Sequence, residues 1–257
     1  MARPIEFQSI RQATMDPRNP FLKTIHLLPG TIEGVETKYY LLEKSTSFSP
    51  ARYPNRGHVF LFIRGTGESQ NGGDIFSFGE IAALCAPGTG PITIKATSEP
   101  IEFLEILIDL PEHEAAPLRA QVPSFVLYSQ CEPYSEAIKS PKTINRTIVP
   151  ANTIPRFCMG SVETAGPDTV GAHSHPMLEQ LFFGLPGNAC LVTADGSEAV
   201  FGEGMLLHIP LGSWHGVRVE AGNRLHYVWM DFFKSEEDVT YIREQHKPIT
   251  GSPSTDT

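Results

Sequence analysis

Two histidines separated by a single residue stand in the segment HSHPMLEQ, residues 173–180. Successive side chains of a β-strand alternate between its two faces, so His173 and His175 can point together into one cavity. Imidazole nitrogens are good ligands for divalent transition metals. Glu179 and Gln180, a carboxylate and an amide, follow a few residues later. The segment is therefore a candidate metal site that either of these two side chains would complete.

A second segment, GMLLHIPLGSWH at residues 204–215, ends on another histidine, His215. A glycine begins it, and a proline and a glycine near its end are typical turn residues. Taken together, the two segments resemble the two conserved motifs of the cupin superfamily. The second motif matches throughout, except that Val219 stands in place of its final Asn. The first motif matches from its histidines onward. Its leading glycine does not match, since it stands one residue too early.

The resemblance implies a β-barrel that holds a divalent metal ion through two histidines, a Glu or Gln, and a final histidine. Carried onto this sequence, the implied ligands are His173, His175 and His215, with Gln180 or Glu179 as the fourth. The metal expected at such a site is Mn, Fe, Ni or Zn.

The spacing of the first motif favours Gln180 over Glu179 as the fourth ligand. Six residues, LFFGLP, separate Gln180 from the turn residue Gly187, as the motif requires. From Glu179 the same count ends on Pro186. The two side chains have opposite parity on a strand, so only one of them can face inward. Glu179 stays the alternative, because a carboxylate is the more common and stronger ligand for Mn, Fe or Ni.

The chain also contains an internal repeat. A shift of 122 residues lays ARYPNRGHVFLFIRG on HSHPMLEQLFFGLPG without a gap. His58 then falls on Gln180, which agrees with the favoured fourth ligand. Ala51 and Tyr53 stand where the second copy has its two histidines. We therefore predict that the first copy holds no metal and that each chain binds one ion.

Short runs rich in Val, Ile, Phe and Thr alternate with Gly and Pro, which occur 22 times each, and this pattern predicts an all-β fold. Combined with the repeat and the cupin resemblance, it predicts two jelly-roll barrels in tandem. We expect a degenerate N-terminal barrel over 1–130, a linker over 131–146 and a metal-binding barrel over 147–234. A short helix and a flexible tail would occupy 235–257, and another short helix is predicted over 111–121.

Three residues outside the metal ligands are candidates for catalysis, namely Tyr227, His226 and Arg156. Arg156 is a candidate for gripping a substrate carboxylate through paired hydrogen bonds. The run LHYVWMDFF, which contains the other two, alternates ambiguously, so one of two sets of side chains faces the cavity. These sets are Tyr227, Trp229 and Asp231, or His226, Val228 and Met230.

Composition excludes several classes of function. The net charge of −9 and the lack of a basic stripe argue against nucleic-acid binding. No run approaches the ~18 apolar residues of a membrane span, and no signal peptide is visible. The four cysteines form no CxxC pair. We expect a cytoplasmic homodimer with a small, carboxylate-bearing substrate and no nucleic-acid or membrane partner.

These observations favour a metal-dependent enzyme that acts on a small polar metabolite. The expected reaction is that of an isomerase, lyase or hydrolase on a sugar acid or on a keto or hydroxy acid, with metal polarisation of an oxygen and proton transfer by a nearby acid or base. Two alternatives stay open. An Fe(II)-dependent dioxygenase would be favoured by Glu179 as a ligand, and a non-catalytic cupin would bind a small molecule without turnover.

Overall fold

The computed structural model describes residues 5–118, 122–136, 139–235 and 237–240. Strands dominate, and the predicted all-β fold of two jelly-roll barrels is confirmed. In chain order the strands are β1 (Glu6–Ser9), β2 (Thr14–Asp16), β3 (Asn19–Leu27), β4 (Val35–Leu42), β5 (Ser47–Phe48), β6 (Arg56–Arg64), β7 (Gly67–Asn71), β8 (Asp74–Phe78), β9 (Ala82–Pro87), β10 (Ile92–Ala96), β11 (Ile101–Asp109), β12 (Ser124–Leu127), β13 (Pro133–Tyr134), β14 (Ile144–Ile154), β15 (Phe157–Ala165), β16 (Asp168–His173), β17 (Leu178–Gly184), β18 (Ala189–Ala194), β19 (Ser197–Gly202), β20 (Met205–Ile209), β21 (His215–Val219) and β22 (Arg224–Phe233).

Helices are short. Helix α1 (Glu112–Leu118) confirms part of the helix predicted over 111–121, and residues 119–121 lie outside the described residues. At the C-terminus residues 237–240 are helical, and the Asp238 N–H donates to the Ser235 hydroxyl at 3.4 Å, as in an N-cap. The rest of the predicted tail lies outside the described residues. No helix in the described part of the chain is long and apolar enough to cross a membrane.

The two barrels repeat one strand order. The first has sheets β12-β9-β6-β11-β4-β3-β2 and β5-β10-β7-β8. The second has sheets β1-β20-β17-β22-β15-β14-β13 and β16-β21-β18-β19. Counterparts therefore occupy equal places, so that β6 corresponds to β17 and β11 to β22, as the sequence repeat predicts.

One peripheral strand, β1, joins the N-terminal half of the chain to the second barrel. Strand β1, near the N-terminus, pairs with β20 of the second barrel, and β12 pairs with β9 of the first. Strand β13 lies inside the predicted linker and pairs with β14, which brings the linker against the second barrel. The domain boundaries given above stay a prediction.

Both faces of the large sheets are buried, and the alternation of side chains along each strand decides which of them enter the barrel. One apolar cluster fills the space between the two seven-stranded sheets, and a separate cluster fills the interior of each barrel. On β17, Leu181 and Phe183 belong to the cluster between the sheets, whereas Phe182 belongs to the interior of the second barrel. Because parity alternates, Gln180 shares the interior face and Glu179 shares the face between the sheets.

Candidate metal centre

Three histidines converge at one end of the second barrel. His173 ends β16 and lies opposite His215, which begins β21, while His175 follows in the adjoining turn. A β-bulge between Val170 and His173 shifts the pairing at this point. One ligand nitrogen from each histidine lies within 4.8 Å of the others. We call His173, His175 and His215 the histidine triad.

Backbone carbonyls orient two of these imidazoles. The His173 Nδ1 lies 2.8 Å from the carbonyl oxygen of Gly171, and the His215 Nδ1 lies 3.0 Å from that of Ser213. Because a carbonyl only accepts, each Nδ1 is the donor, which leaves Nε2 as the nitrogen with a lone pair for a metal. The Nε2 of His215 is buried and has no hydrogen-bond partner among the described residues.

The electrostatics of the triad favour the ligand form of imidazole. Burial, followed by the nearby His173, lowers the pKa of His215 to about 4. His215 is therefore neutral over the physiological pH range, as a metal ligand must be.

Gln180 lies inside the barrel, and its amide is fixed from one side. Its Nε2 donates to the Asp231 Oδ1 at 2.8 Å, and both side chains are buried. The Gln180 Oε1 is buried without a hydrogen-bond partner among the described residues. Three imidazoles and an amide oxygen are a donor set that suits a divalent transition metal, so the residues present fit the ion that the resemblance implies.

Glu179 points to the other side of the sheet. Its Oε2 lies 2.9 Å from the His208 Nε2 and accepts a hydrogen bond from the Leu211 N–H at 3.0 Å. It thereby holds the turn that precedes His215. Its ligand role stays an untested alternative, and this placement is the geometric reason for favouring Gln180.

The histidine triad and Gln180 line one cavity of about 650 Å³. This volume suits a small metabolite. One wall is aromatic, with Phe182, Tyr227 and Trp229. Burial, followed by the nearby Cys190, raises the pKa of Tyr227 well above its ordinary value, so its phenol keeps its proton.

A charged pair from the predicted linker lines the same cavity. Lys139 Nζ lies 2.9 Å from Glu136 Oε2 and donates to Asn145 Oδ1 at 2.6 Å. Burial lowers the pKa of Lys139, and Glu136 opposes that shift without cancelling it. Sequence reasoning missed this pair. Its one signal was a cluster of charged and aromatic residues, CEPYSEAIK, in a stretch without a strand pattern.

The three predicted catalytic residues separate in space. Tyr227 lines the cavity together with Trp229 and Asp231, which selects the first of the two sets on β22. His226 has the opposite parity and lies near the Tyr128 hydroxyl, 3.5 Å from its Nε2. Arg156 occupies the turn between β14 and β15, where it donates to the Glu114 carboxylate of α1 at 2.9 Å. The described lining residues include neither His226 nor Arg156.

The first barrel carries a different interior at the corresponding place. His58, the counterpart of Gln180, lies 2.7 Å from Glu105 Oε1, and the Tyr40 hydroxyl donates to Glu105 Oε2 at 2.8 Å. Lys38 Nζ lies 3.9 Å from the same carboxylate. Lys38 on β4 lies opposite Glu105 on β11. At the corresponding positions of the second barrel, Gly160 on β15 lies opposite Trp229 on β22. A buried ionic cluster of Lys38, Tyr40, His58 and Glu105, the first-barrel cluster, thus occupies this interior.

Comparisons with known proteins agree with the fold and the motif. Residues 162–231 match the family model described as a cupin domain. A comparison with curated proteins finds no sequence match. Similar solved structures include a cupin 2 conserved barrel domain protein from Leptotrichia buccalis, with 13% identity, a TM-score of 0.61, and coverage of 89% of this chain and 96% of that one.

Two further structures have the same architecture. An oxalate decarboxylase from Lactobacillus farciminis, in a formate complex, has 12% identity, a TM-score of 0.67, and coverage of 89% and 86%. Vicilin from Corylus avellana has 9% identity, a TM-score of 0.68, and coverage of 88% and 85%.

The fold and the histidine triad define a two-barrel protein with a candidate metal centre in one barrel. Within the second barrel, residues 162–231 match a cupin domain. The structural neighbours of the chain carry different names, so the fold alone does not fix a reaction.

Proposed function

We propose that this protein is a metal-dependent bicupin enzyme acting on a small, carboxylate-bearing metabolite, as an isomerase, lyase or hydrolase of a sugar acid or of a keto or hydroxy acid. The observation that carries the proposal is the cavity of about 650 Å³ that the histidine triad, Gln180 and the pair of Lys139 and Glu136 line together. The His215 Nε2 and the Gln180 Oε1 are buried there without protein partners among the described residues. A divalent metal bound by these donors supplies a Lewis acid that polarises a carbonyl or carboxylate oxygen.

The cavity's own side chains supply the remaining functions. The Lys139 ammonium offers a positive charge for a substrate carboxylate. Burial lowers the pKa of Lys139, so its ammonium gives up a proton more readily, and the Glu136 carboxylate at 2.9 Å supplies a base. The side chains of Tyr227 and Trp229 give the same cavity an aromatic lining.

A carboxylate substrate also agrees with two structural neighbours that are named as oxalate decarboxylases, one of them in a formate complex. The dioxygenase alternative relied on Glu179 as a ligand. Its hydrogen bonds to His208 and to the Leu211 N–H, outside the barrel, count against that alternative.

The test is a substrate panel of keto acids, hydroxy acids and uronates, given to the metal-loaded protein in an oxygen electrode with product detection by NMR. We expect turnover that requires metal and consumes no oxygen. Lys139→Met should lower kcat/KM by about 100-fold, in the range typical for a lost acid or base. Lys142→Met is the matched control, because Lys142 is exposed on the same segment, and it should leave turnover unchanged.

Other results would contradict the proposal in different ways. Substrate-dependent oxygen uptake would support the dioxygenase. Binding of a carboxylate without any turnover would support a non-catalytic protein.

A further inference from the structure

The bond between Gln180 and Asp231 determines which end of the Gln180 amide faces the cavity. The two residues are directly opposite each other on β17 and β22, and the Gln180 Nε2 donates to Asp231 Oδ1 at 2.8 Å. A carboxylate accepts and does not donate, so it holds the NH₂ end and turns the oxygen away. That oxygen, Oε1, is buried without a hydrogen-bond partner among the described residues. Asp231 therefore selects one of the two amide orientations.

We propose that Asp231 is a positioning residue that presents the Gln180 Oε1 as the fourth metal ligand and makes this amide behave like a carboxylate. The inference rests on the metal site of the proposed function. It goes beyond that function because it assigns a role to Asp231, which does not bind the metal itself but forms a hydrogen bond with the ligand residue Gln180.

The physical reason lies in burial and charge. Gln180 is 6% exposed and Asp231 is 7% exposed, so little water screens the carboxylate. A hydrogen bond to an ionised acceptor is about twice as strong as one between neutral groups. It polarises the amide and increases the negative charge on Oε1, as a carboxylate behind a metal-bound histidine does. The site thus keeps a neutral ligand while a negative charge stands directly behind it.

This arrangement also bears on the choice between Glu179 and Gln180. A carboxylate is the stronger ligand for Mn, Fe or Ni, which left Glu179 open as a candidate. With Asp231 behind Gln180, the inward-facing amide gains part of that strength. A carboxylate contributes to the site without occupying the ligand position itself.

The test is titration of the metal-free protein with Co²⁺, followed by calorimetry for affinity and by visible absorption for the ligand field. Asp231→Leu removes both charge and acceptor, and we expect a loss of affinity of about 10–100-fold with a changed spectrum. Asp231→Asn keeps an acceptor of the same shape and should lose less than Asp231→Leu. Glu198→Gln is the control, because it removes one carboxylate charge from the same barrel at a side chain that is 50% exposed and is not among the cavity-lining residues described. It should change the affinity by less than about three-fold and leave the spectrum unchanged.

The most discriminating variant exchanges the amide of Gln180 and the carboxylate of Asp231. In the double variant Gln180→Glu with Asp231→Asn, the asparagine amide donates to the new carboxylate, and the net charge is unchanged. We expect this double variant to bind Co²⁺ more tightly than Asp231→Asn alone, because the negative charge that Asp231→Asn removes is returned, now on the ligand side chain. If Asp231→Leu does not fold, as checked by circular dichroism, Asp231→Asn and the double variant still decide the outcome.

Two kinds of failure are distinguishable. Wild-type affinity and spectrum in Asp231→Leu and in Asp231→Asn would overturn the role of Asp231 and leave the metal site intact. A wild-type protein that binds no Co²⁺, or one whose binding survives His175→Ala unchanged, would contradict the proposed metal site and the role of Asp231 with it.

Discussion

Removal of the Glu105 carboxylate tests whether buried charge stabilises the first barrel at the place where the second barrel has its candidate metal centre. Its side chain is 2% exposed, and it accepts hydrogen bonds from His58 and from the Tyr40 hydroxyl at 2.7 and 2.8 Å. Burial, followed by the charge of Glu105, raises the pKa of Tyr40 above its ordinary value, so its phenol remains the donor. In Glu105→Ala two buried groups lose their acceptor, and Lys38, whose Nζ lies 3.9 Å from this carboxylate, loses a nearby opposite charge.

The expected cost follows from these contacts. Each hydrogen bond to a charged group contributes about 1.5–3 kcal/mol, so the two short ones together contribute about 3–6 kcal/mol. Breaking a buried ion pair costs about 3–5 kcal/mol, which agrees with that sum. For a chain of this size, a loss of that order lowers Tm by about 6–20 °C.

Urea unfolding and calorimetry measure the loss, and Glu102→Ala is the control. Glu102 lies on the same strand, accepts a hydrogen bond from the Tyr39 hydroxyl at 2.9 Å, and has a side chain that is 20% exposed. It should lose no more than about 1.5 kcal/mol. Metal content should stay the same in both variants. A loss below about 1 kcal/mol in Glu105→Ala, or a loss of metal, would refute the reasoning.

Two further predictions concern the second barrel. Burial raises the pKa of Asp168, but hydrogen bonds, the strongest from Thr164, outweigh it and hold the pKa below its ordinary value. This stabilisation is present at neutral pH and decreases as the pH falls through the folded-state pKa. Asp168→Asn should therefore cost about 2 kcal/mol at neutral pH and less in acid, as urea unfolding over a pH series would show. Gly160→Ala would place a methyl group against the Trp229 ring, which should cost about 1–3 kcal/mol and change the tryptophan fluorescence. Gly73→Ala is its control, because a methyl group there meets nothing within 4 Å, and an equal loss in both would contradict the packing argument.

Much of the fold and the metal motif could be predicted because both depend on short-range spacing. Alternate residues of a strand share a face, so the pair of His173 and His175 and the parity of Gln180 could be read directly from the sequence. The repeat extended this to the first barrel, where Ala51 and Tyr53 stand in place of the two histidines. These inferences needed only the order of the residues.

Other features depend on contacts between distant segments. The orientation of β22 was ambiguous because both of its faces are buried, one inside the barrel and one between the sheets, so hydrophobicity does not distinguish them. Lys139 and Glu136 reach the cavity because the linker pairs with β14 through β13. Arg156 lies in a turn, where its partner is Glu114 of a helix 42 residues earlier. None of these contacts follows from a local pattern.

We expect one divalent metal ion to bind to the histidine triad of the second barrel. The most direct test is elemental analysis of purified wild-type protein beside His215→Ala, with the fold of both checked by circular dichroism. We expect about one equivalent of metal per chain in the wild type, since the triad is the one such cluster found among the described residues. In His215→Ala we expect almost none. About two equivalents in the wild type, or full metal content in His215→Ala, would contradict this expectation.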